Sequence, residues 1–391
     1  MHVQCTRDGL SYTPSYDLVD DAGQSIPQVF AFLRHLGARG YSPNTLSAYA
    51  HDLLHFTSFL REHGWEYADF TPVRSLDLLQ YLRQFQSRGH TRSLGPVLAT
   101  DGDRTVKRLS PATINRALAA VSSFYEYLII SGQCANENPL RKEFDYETSN
   151  VVNRRRPFIS SVSRQKPMRR IVRVRTVHRV PRPMTHEQIG KLLTSLKLWR
   201  DKAMMVLMLE GGLRPGEVLN LQLEDIQYGR RRVVIRYRTD HPRGSRTKSR
   251  TERVVDLLTP ETLPTVSTYV IQERPQGADS PFVFLVGGRG KERNRPLSYG
   301  ALVKTFVRHC ERLNMRAPWI TPHALRHTHA TRMWEGGMRE LTLQKRLWVM
   351  LRQSPPVSTP ECRMRLSSPS TCALWESRRR YEDRQGLPEP A

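Results

Sequence analysis

Four basic residues stand at the edges of expected elements rather than on solvated faces: Arg214, Lys248, His323 and Arg326. Arg214 lies in the turn Gly211-Gly212-Leu213-Arg214-Pro215-Gly216-Glu217, where a helix N-terminus and a guanidinium can converge on an anion. Lys248 falls near the tip of an expected hairpin, and His323 and Arg326 share one helix face at i,i+3. Two arginines, a lysine and a histidine around one phosphodiester would neutralise the extra charge of a pentacoordinate transition state. A lysine ammonium can also protonate a leaving alkoxide. Singly, each residue is an ordinary solvated cation, and only their meeting in space makes a site. The histidines offer a second chemistry, with His323/His327 or His327/His329 as metal ligands of a basic metallohydrolase. No Glu follows in an HExxH arrangement and Cys310 belongs to another element, which argues against zinc.

The charge balance says what such a cluster would meet. The 391 residues hold 61 Lys+Arg against 37 Asp+Glu, a formal net charge of +24. Counterion release makes nucleic acid the leading partner, ahead of an anionic membrane surface or a basic protein with no polyanion partner. No apolar run reaches the ~18–20 residues that span a bilayer. The N-terminus has no basic and then apolar signal. The five cysteines (Cys5, Cys134, Cys310, Cys362, Cys372) form no CxxC pair. A reducing cytoplasm is therefore the expected compartment, without membrane, disulfide framework or Cys-based metal site.

The elements around the four cations predict a mainly α fold with a small β component (α+β). Residues 1–24 lack periodicity and are expected to form a flexible leader. Residues 25–137 read as a helical domain. Ser42-Pro43 caps a stripe of Leu46, Tyr49, Leu53, Phe56 and Leu60, and Ser110-Pro111 caps Ile114, Leu118, Val121, Tyr125 and Leu128. A shorter helix, Leu76 to Phe85, lies between them.

Residues 138–183 read as an extended basic linker. Arg154 to Arg182 contains eleven Lys/Arg and no acid, broken by Pro157, Pro167 and Pro181. Arg154, Arg155, Arg156, Arg169, Arg170, Arg173 and Arg175 are its candidate phosphate contacts. A second domain begins at 184 with the capping box Thr185-x-x-Gln188. Val233–Ile235 and Val254–Leu257 read as two strands of a hairpin with a long basic tip. A Gly/Arg-rich, hairpin-like stretch follows at Pro281–Arg295, then helices from Ser298 to Leu313 and from Thr321-Pro322 to Trp334.

With these residues in view, the sequence resembles the tyrosine recombinases, or phage integrase family. Gly212-Leu-Arg-Pro-Gly-Glu-Val-Leu219 is similar to that family's first arginine box. Lys248-Ser-Arg-Thr-Glu-Arg-Val-Val-Asp-Leu257 is similar to its β-hairpin lysine motif. Thr321-Pro-His-Ala-Leu-Arg-His-Thr-His-Ala-Thr331 is similar to its HxxR box. The resemblance implies a DNA core-binding domain at 25–137 and a recombinase catalytic domain at 184–347. It implies that Arg214 and Arg326 bind the scissile phosphate and that Glu217 supports Arg214. Lys248 would be general acid toward the leaving 5′-oxygen, and His323 would assist proton transfer. No metal or nucleotide cofactor is implied, because a 3′-phosphotyrosyl bond stores the energy of the broken strand. The implied partners are double-stranded DNA and, on it, a homotetramer that exchanges a C-terminal segment.

After Gln344-Lys345-Arg346-Leu347 the resemblance stops. The family pattern asks for Gly-His, then Thr, then the nucleophilic Tyr; this chain has Val349 at the His position and Ser358 at the Tyr position. The genetic code suggests a cause. Read in triplets that start at the third base of each codon, Trp348-Val349 forces Gly, Val349-Met350 allows His, 355 allows Thr and 358 allows Tyr. A frame disruption near codon 347 is expected, which makes 348–391 an out-of-frame tail and leaves the catalytic domain incomplete. Tyr381, 381 − 326 = 55 residues after Arg326, is a weak substitute nucleophile. The expectation is therefore a recombinase that binds DNA with strand cleavage lost or impaired. The alternatives are a non-catalytic protein occupying recombination sites and, far behind it, the metallohydrolase. Sequencing the gene across codons 340–391 should recover Gly-His, Thr and Tyr in the shifted frame; a shifted frame without them contradicts the frame disruption.

Overall fold

Two helices open with the same chemistry. In the computed structural model, Ser42 and Ser110 each accept the backbone N–H three residues on, from Thr45 and Thr113, both at 3.2 Å. Each is followed by a proline, whose fixed φ suits the first helical position. The structure describes residues 1–6, 14–85, 108–134, 137–144, 168–176, 182–247 and 251–347. The helical unit contains α1 (Pro27–Ala38), α2 (Pro43–His63), α3 (Arg74–Gln84) and α4 (Pro111–Ile130). The two apolar stripes meet in one core with Leu53, Phe56, Leu118, Val121 and Tyr125 buried. A fully buried aspartate, Asp52, is neutralised within it by a two-pronged bond from Arg116, at 2.8 and 2.9 Å.

Two expectations fail here. Residues 1–24 are not a structureless leader: β1 (His2–Thr6) pairs antiparallel with β2 (Ser15–Val19), and Leu18 and Val19 are buried on the helices. Strands of five residues with a single inward pair are too short to show a period. Nor is 138–183 wholly a free linker. β3 (Lys142–Phe144) pairs with β4 (Met168–Arg170), and Leu140 and Val174 are buried in the helical core. The Asn115 side-chain amide donates to the Val174 carbonyl and accepts its N–H, both at 2.8 Å. Arg169 therefore sits in a strand, Arg170 is half-buried, and Arg173 and Arg175 are exposed. Arg154, Arg155 and Arg156 lie outside the described residues.

The second unit begins where Thr185 caps α5 (His186–Ser195) in the expected capping box. α6 (Trp199–Glu210) is apolar on nearly every face, with Ala203 to Leu209 all buried, so it forms the centre of this core. α7 (Pro215–Leu219) follows the glycine turn. A three-stranded antiparallel sheet is ordered β5 (Ile226–Gln227), β6 (Arg232–Ile235), β7 (Arg253–Asp256), with Val233 opposite Val255 and Ile235 opposite Arg253. α8 (Thr262–Thr268) continues into a wider π turn, Tyr269–Glu273. α9 (Tyr299–Arg312), α10 (Pro322–Glu335) and α11 (Glu340–Leu347) complete it. The Gly/Arg-rich stretch forms no regular strands, only isolated bridges from Phe282 to Gln222 and from Leu285 to Pro296. Mainly α with small sheets is the architecture expected. Among the described residues no helix is long and apolar enough to cross a membrane.

Candidate phosphate-binding site

α7 brings its third residue, Glu217, fully into the interior, where the side chain has no exposed surface. An ionised carboxylate tolerates that only with hydrogen-bonded partners. Glu217 has several. Arg214 donates its own amide to Oε2 at 2.8 Å and Nη1 to Oε1 at 2.7 Å. Arg253 on β7 adds a two-pronged bond, Nη1 to Oε1 at 2.9 Å and Nη2 to Oε2 at 2.6 Å. Arg326 on α10 brings Nη1 to 3.8 Å from Oε2. Burial alone would raise the Glu217 pKa; the hydrogen bonds and charge of Arg253, followed by Arg214, outweigh it and leave the carboxyl below its ordinary value. Glu217 is thus an anion that gathers guanidiniums from three elements.

The sums do not cancel. Three guanidiniums share this one carboxylate, and Arg326 is pulled down to about 9 by burial first and by the Arg214 and Arg253 charges after it. The Arg326 Nη groups donate to the carbonyls of Gly212 and Leu347. Arg214 is one-fifth exposed, so the cluster reaches solvent at this residue. An anion at that opening would offset the Arg214 and Arg253 charges that add to burial in lowering Arg326. The α7 N-terminus contributes less than expected, because the Arg214 amide is already held by Glu217.

The glycines permit this closeness. Gly212 has φ +63°, and an added Cβ would lie 2.5 Å from His329 Cδ2 and 2.8 Å from Leu347 Cδ2. A Cβ on Gly216 would lie 2.7 Å from the Arg246 carbonyl oxygen, so the hairpin arm rests directly on α7. Asn220 reinforces that contact, its amide donating to Gly216 O at 2.7 Å and to Ser245 Oγ at 3.2 Å.

A second network braces the site from behind. His329 Nδ1 donates to the Leu209 carbonyl at 2.9 Å, and its Nε2 accepts from Arg346 Nε at 3.0 Å. Burial first, then the Arg346 charge, bring His329 down to about 4, so the ring is neutral, as those two bonds require. Arg346 also donates Nη2 to Asp256 O at 2.8 Å and to Glu210 O at 3.2 Å. Its own carbonyl receives Arg253 Nε at 3.0 Å. The end of α11 is thus tied to α6, β7 and α10, and its last two carbonyls hold Arg253 and Arg326.

Of the four expected cations, the structure brings Arg214 and Arg326 to one carboxylate. His323 sits on α10 one turn before Arg326 and is exposed, between the buried Pro322 and Ala324. Lys248 lies outside the described residues, which resume at Thr251, as do Val349, Ser358 and Tyr381. The zinc reading gains no support, since both His329 nitrogens are engaged and Cys310 is buried in the core. Sequence reasoning missed Arg253, although the signal was present. Arg253, Val255 and Leu257 are in one phase of an alternating strand, so the cation had to point inward with its apolar neighbours.

Known proteins resemble this chain in sequence and in fold. Residues 182–347 match the sequence model described as "Phage integrase family", and residues 29–132 match "Phage integrase, N-terminal SAM-like domain". The chain is 27% identical over 334 residues to transposase A from transposon Tn554 of Staphylococcus aureus, covering 85% of this chain and 87% of the relative. Its fold is similar to the Tn1549 transposon integrase in complex with a circular intermediate DNA, with TM-score 0.54, 18% identity, and 82% and 90% of the two chains covered. It is also similar to a lambda integrase tetramer bound to a Holliday junction, with TM-score 0.51, 14% identity, and 84% and 79% covered.

Replacing Gly212 by Ala should destabilise the protein by at least about 1–3 kcal/mol, the cost of a left-handed non-glycine residue before any clash is counted. Urea unfolding measures it. A loss of a few tenths would mean that the turn is looser than the contacts with His329 and Leu347 require.

Proposed function

The chain belongs to the phage integrase family, and from that membership we propose that it is a site-specific DNA recombinase by descent that grips a backbone phosphate but cannot cut beside it. The observation that carries this reading is the meeting of Arg214 and Arg326 at the buried Glu217, with Arg214 one-fifth exposed at the solvent edge. The catalytic set is Arg214, Lys248, His323 and Arg326: the arginines neutralise the phosphate oxygens, Lys248 donates the proton to the leaving 5′-oxygen, and His323 assists its transfer. Arg253 joins them as a positioning residue, since it reaches Glu217 rather than the opening.

Double-stranded DNA is the partner, as it is in the Tn1549 complex, and the lambda tetramer makes a four-protomer assembly the expected active form. The basic segment around Arg154–Arg156, with Arg173 and Arg175, would follow the backbone. The cytoplasm is the compartment where such a substrate lies. Cleavage fails for a chemical reason. Ser358 stands where the nucleophilic Tyr belongs and Val349 where the second His belongs. Without that nucleophile no 3′-phosphotyrosyl bond forms, however well the phosphate is held. A protein in that state occupies recombination sites without resolving them, which makes the non-catalytic reading the direct consequence of the same residues.

Incubation with a nicked suicide duplex should give a salt-sensitive, non-covalent complex and no covalent protein–DNA band. A covalent band contradicts the proposal, and mapping it to Tyr381 would identify that residue as the substitute nucleophile.

A further inference from the structure

The Gly/Arg-rich stretch between α8 and α9 has no part in the site described above. Its tip, Gly288–Arg295, is exposed at every residue and carries Arg289, Lys291, Arg293 and Arg295 against one acid, Glu292. The tip has a defined shape. Phe284 and Leu285 at its base are fully buried. Val286 N–H donates to Arg295 O at 2.9 Å, Asn294 N–H returns to Val286 O at 3.1 Å, and Arg293 N–H closes on Gly290 O at 3.2 Å. Gly288, Gly290 and Asn294 take φ values of +78°, +128° and +68°, which fold the crest back on itself.

The position of Glu292 gives this patch a direction. Its carboxylate pairs with Arg295 and with Arg243 of the hairpin arm. The arm in turn rests its Arg246 carbonyl on Gly216, inside the arginine turn. The Arg214 turn, the arm and the tip are therefore consecutive neighbours, linked by named contacts. With Glu292 engaged, Arg289, Lys291 and Arg293 have no acidic partner among the described residues.

We infer that the Gly288–Arg295 tip is a second DNA contact, gripping backbone phosphates of the same duplex beyond the scissile one through Arg289, Lys291 and Arg293. This rests on the reading that the chain holds duplex DNA. The chemistry favours DNA over a membrane surface: the crest has no apolar residue to insert among lipid chains. Backbone phosphates need only cations at fixed spacing, which the hydrogen-bonded turn provides. Contacts of this kind add affinity without reading sequence.

The test uses the full chain and a fluorescein-labelled duplex of mixed sequence, with affinity measured by anisotropy over a salt series. Each phosphate contact contributes roughly 0.9 to the slope of log affinity against log salt. The combined variant Arg289→Glu, Lys291→Glu, Arg293→Glu should flatten the slope by about 2–3 and weaken low-salt binding more than tenfold. Arg289→Gln, Lys291→Gln, Arg293→Gln should do the same to a lesser degree. Neither should shift the melting temperature, because these side chains are exposed. A control with equal charge reversal on other exposed residues, Lys191→Glu, Lys197→Glu, Arg230→Glu, should keep most of the slope. An unchanged slope in the tip variants, or an equal loss in the control, overturns the inference. So does tighter binding of the wild-type chain to phosphatidylserine vesicles than to the duplex at the same salt. If the wild-type chain binds no duplex at all, the proposed function itself fails, a different result from binding that ignores the tip.

Discussion

One buried negative charge organises the second half of this protein. Guanidiniums from the turn before α7, from β7 and from α10 repel one another, and nothing in an apolar core would hold them together without the Glu217 carboxylate between them. A buried ion pair of this kind is poor evidence of net stability, because desolvation opposes attraction. Its effect is geometric: each arginine's orientation is fixed by the same two oxygens. One carboxylate meets three guanidiniums, and of the three Arg214 is the one that reaches solvent.

The site is closed by backbone. Arg253 donates to the carbonyl of Arg346 and Arg326 to that of Leu347, the last two residues of α11. The match to the phage integrase family ends at the same residue, 347, and the expected departure from the family pattern follows it. Every residue needed to assemble the arginine cluster therefore precedes the departure, while the expected nucleophile follows it. In the proposed reading, phosphate grip and strand cleavage therefore lie in different stretches of the chain.

The parts of the fold that were legible in the sequence are those where a local rule decides the structure. Serine caps followed by proline, a capping box and regular apolar stripes placed α2, α4 and α5, and the paired β-branched runs placed β6 and β7. The arginines at 214 and 326 were legible from motif and position. The failures share a different cause. Leu18 and Val174 enter the helical core from short segments whose burial is decided by distant partners such as Asn115, and no period announces such contacts. His329 was visible only as a possible ligand; its role as a neutral bridge depends on Leu209 and Arg346, which lie far from it in sequence. Arg253 was the avoidable miss, since its strand phase pointed inward and an inward cation requires a buried acid.

The account depends most on Glu217 being an anion that stabilises the fold through its arginines. Urea unfolding of the wild type and Glu217→Gln, followed from neutral pH downward, tests this directly. The folded-state pKa is depressed, so the contribution is present above the unfolded value of about 4.5 and is lost as pH falls through the lower folded value. At neutral pH the variant should be less stable by about 3–5 kcal/mol, because removing one partner strands buried charge. That gap should close once the pH drops below the folded value. A Gln variant as stable as the wild type at neutral pH, or a gap that does not change on acidification, would contradict the claim.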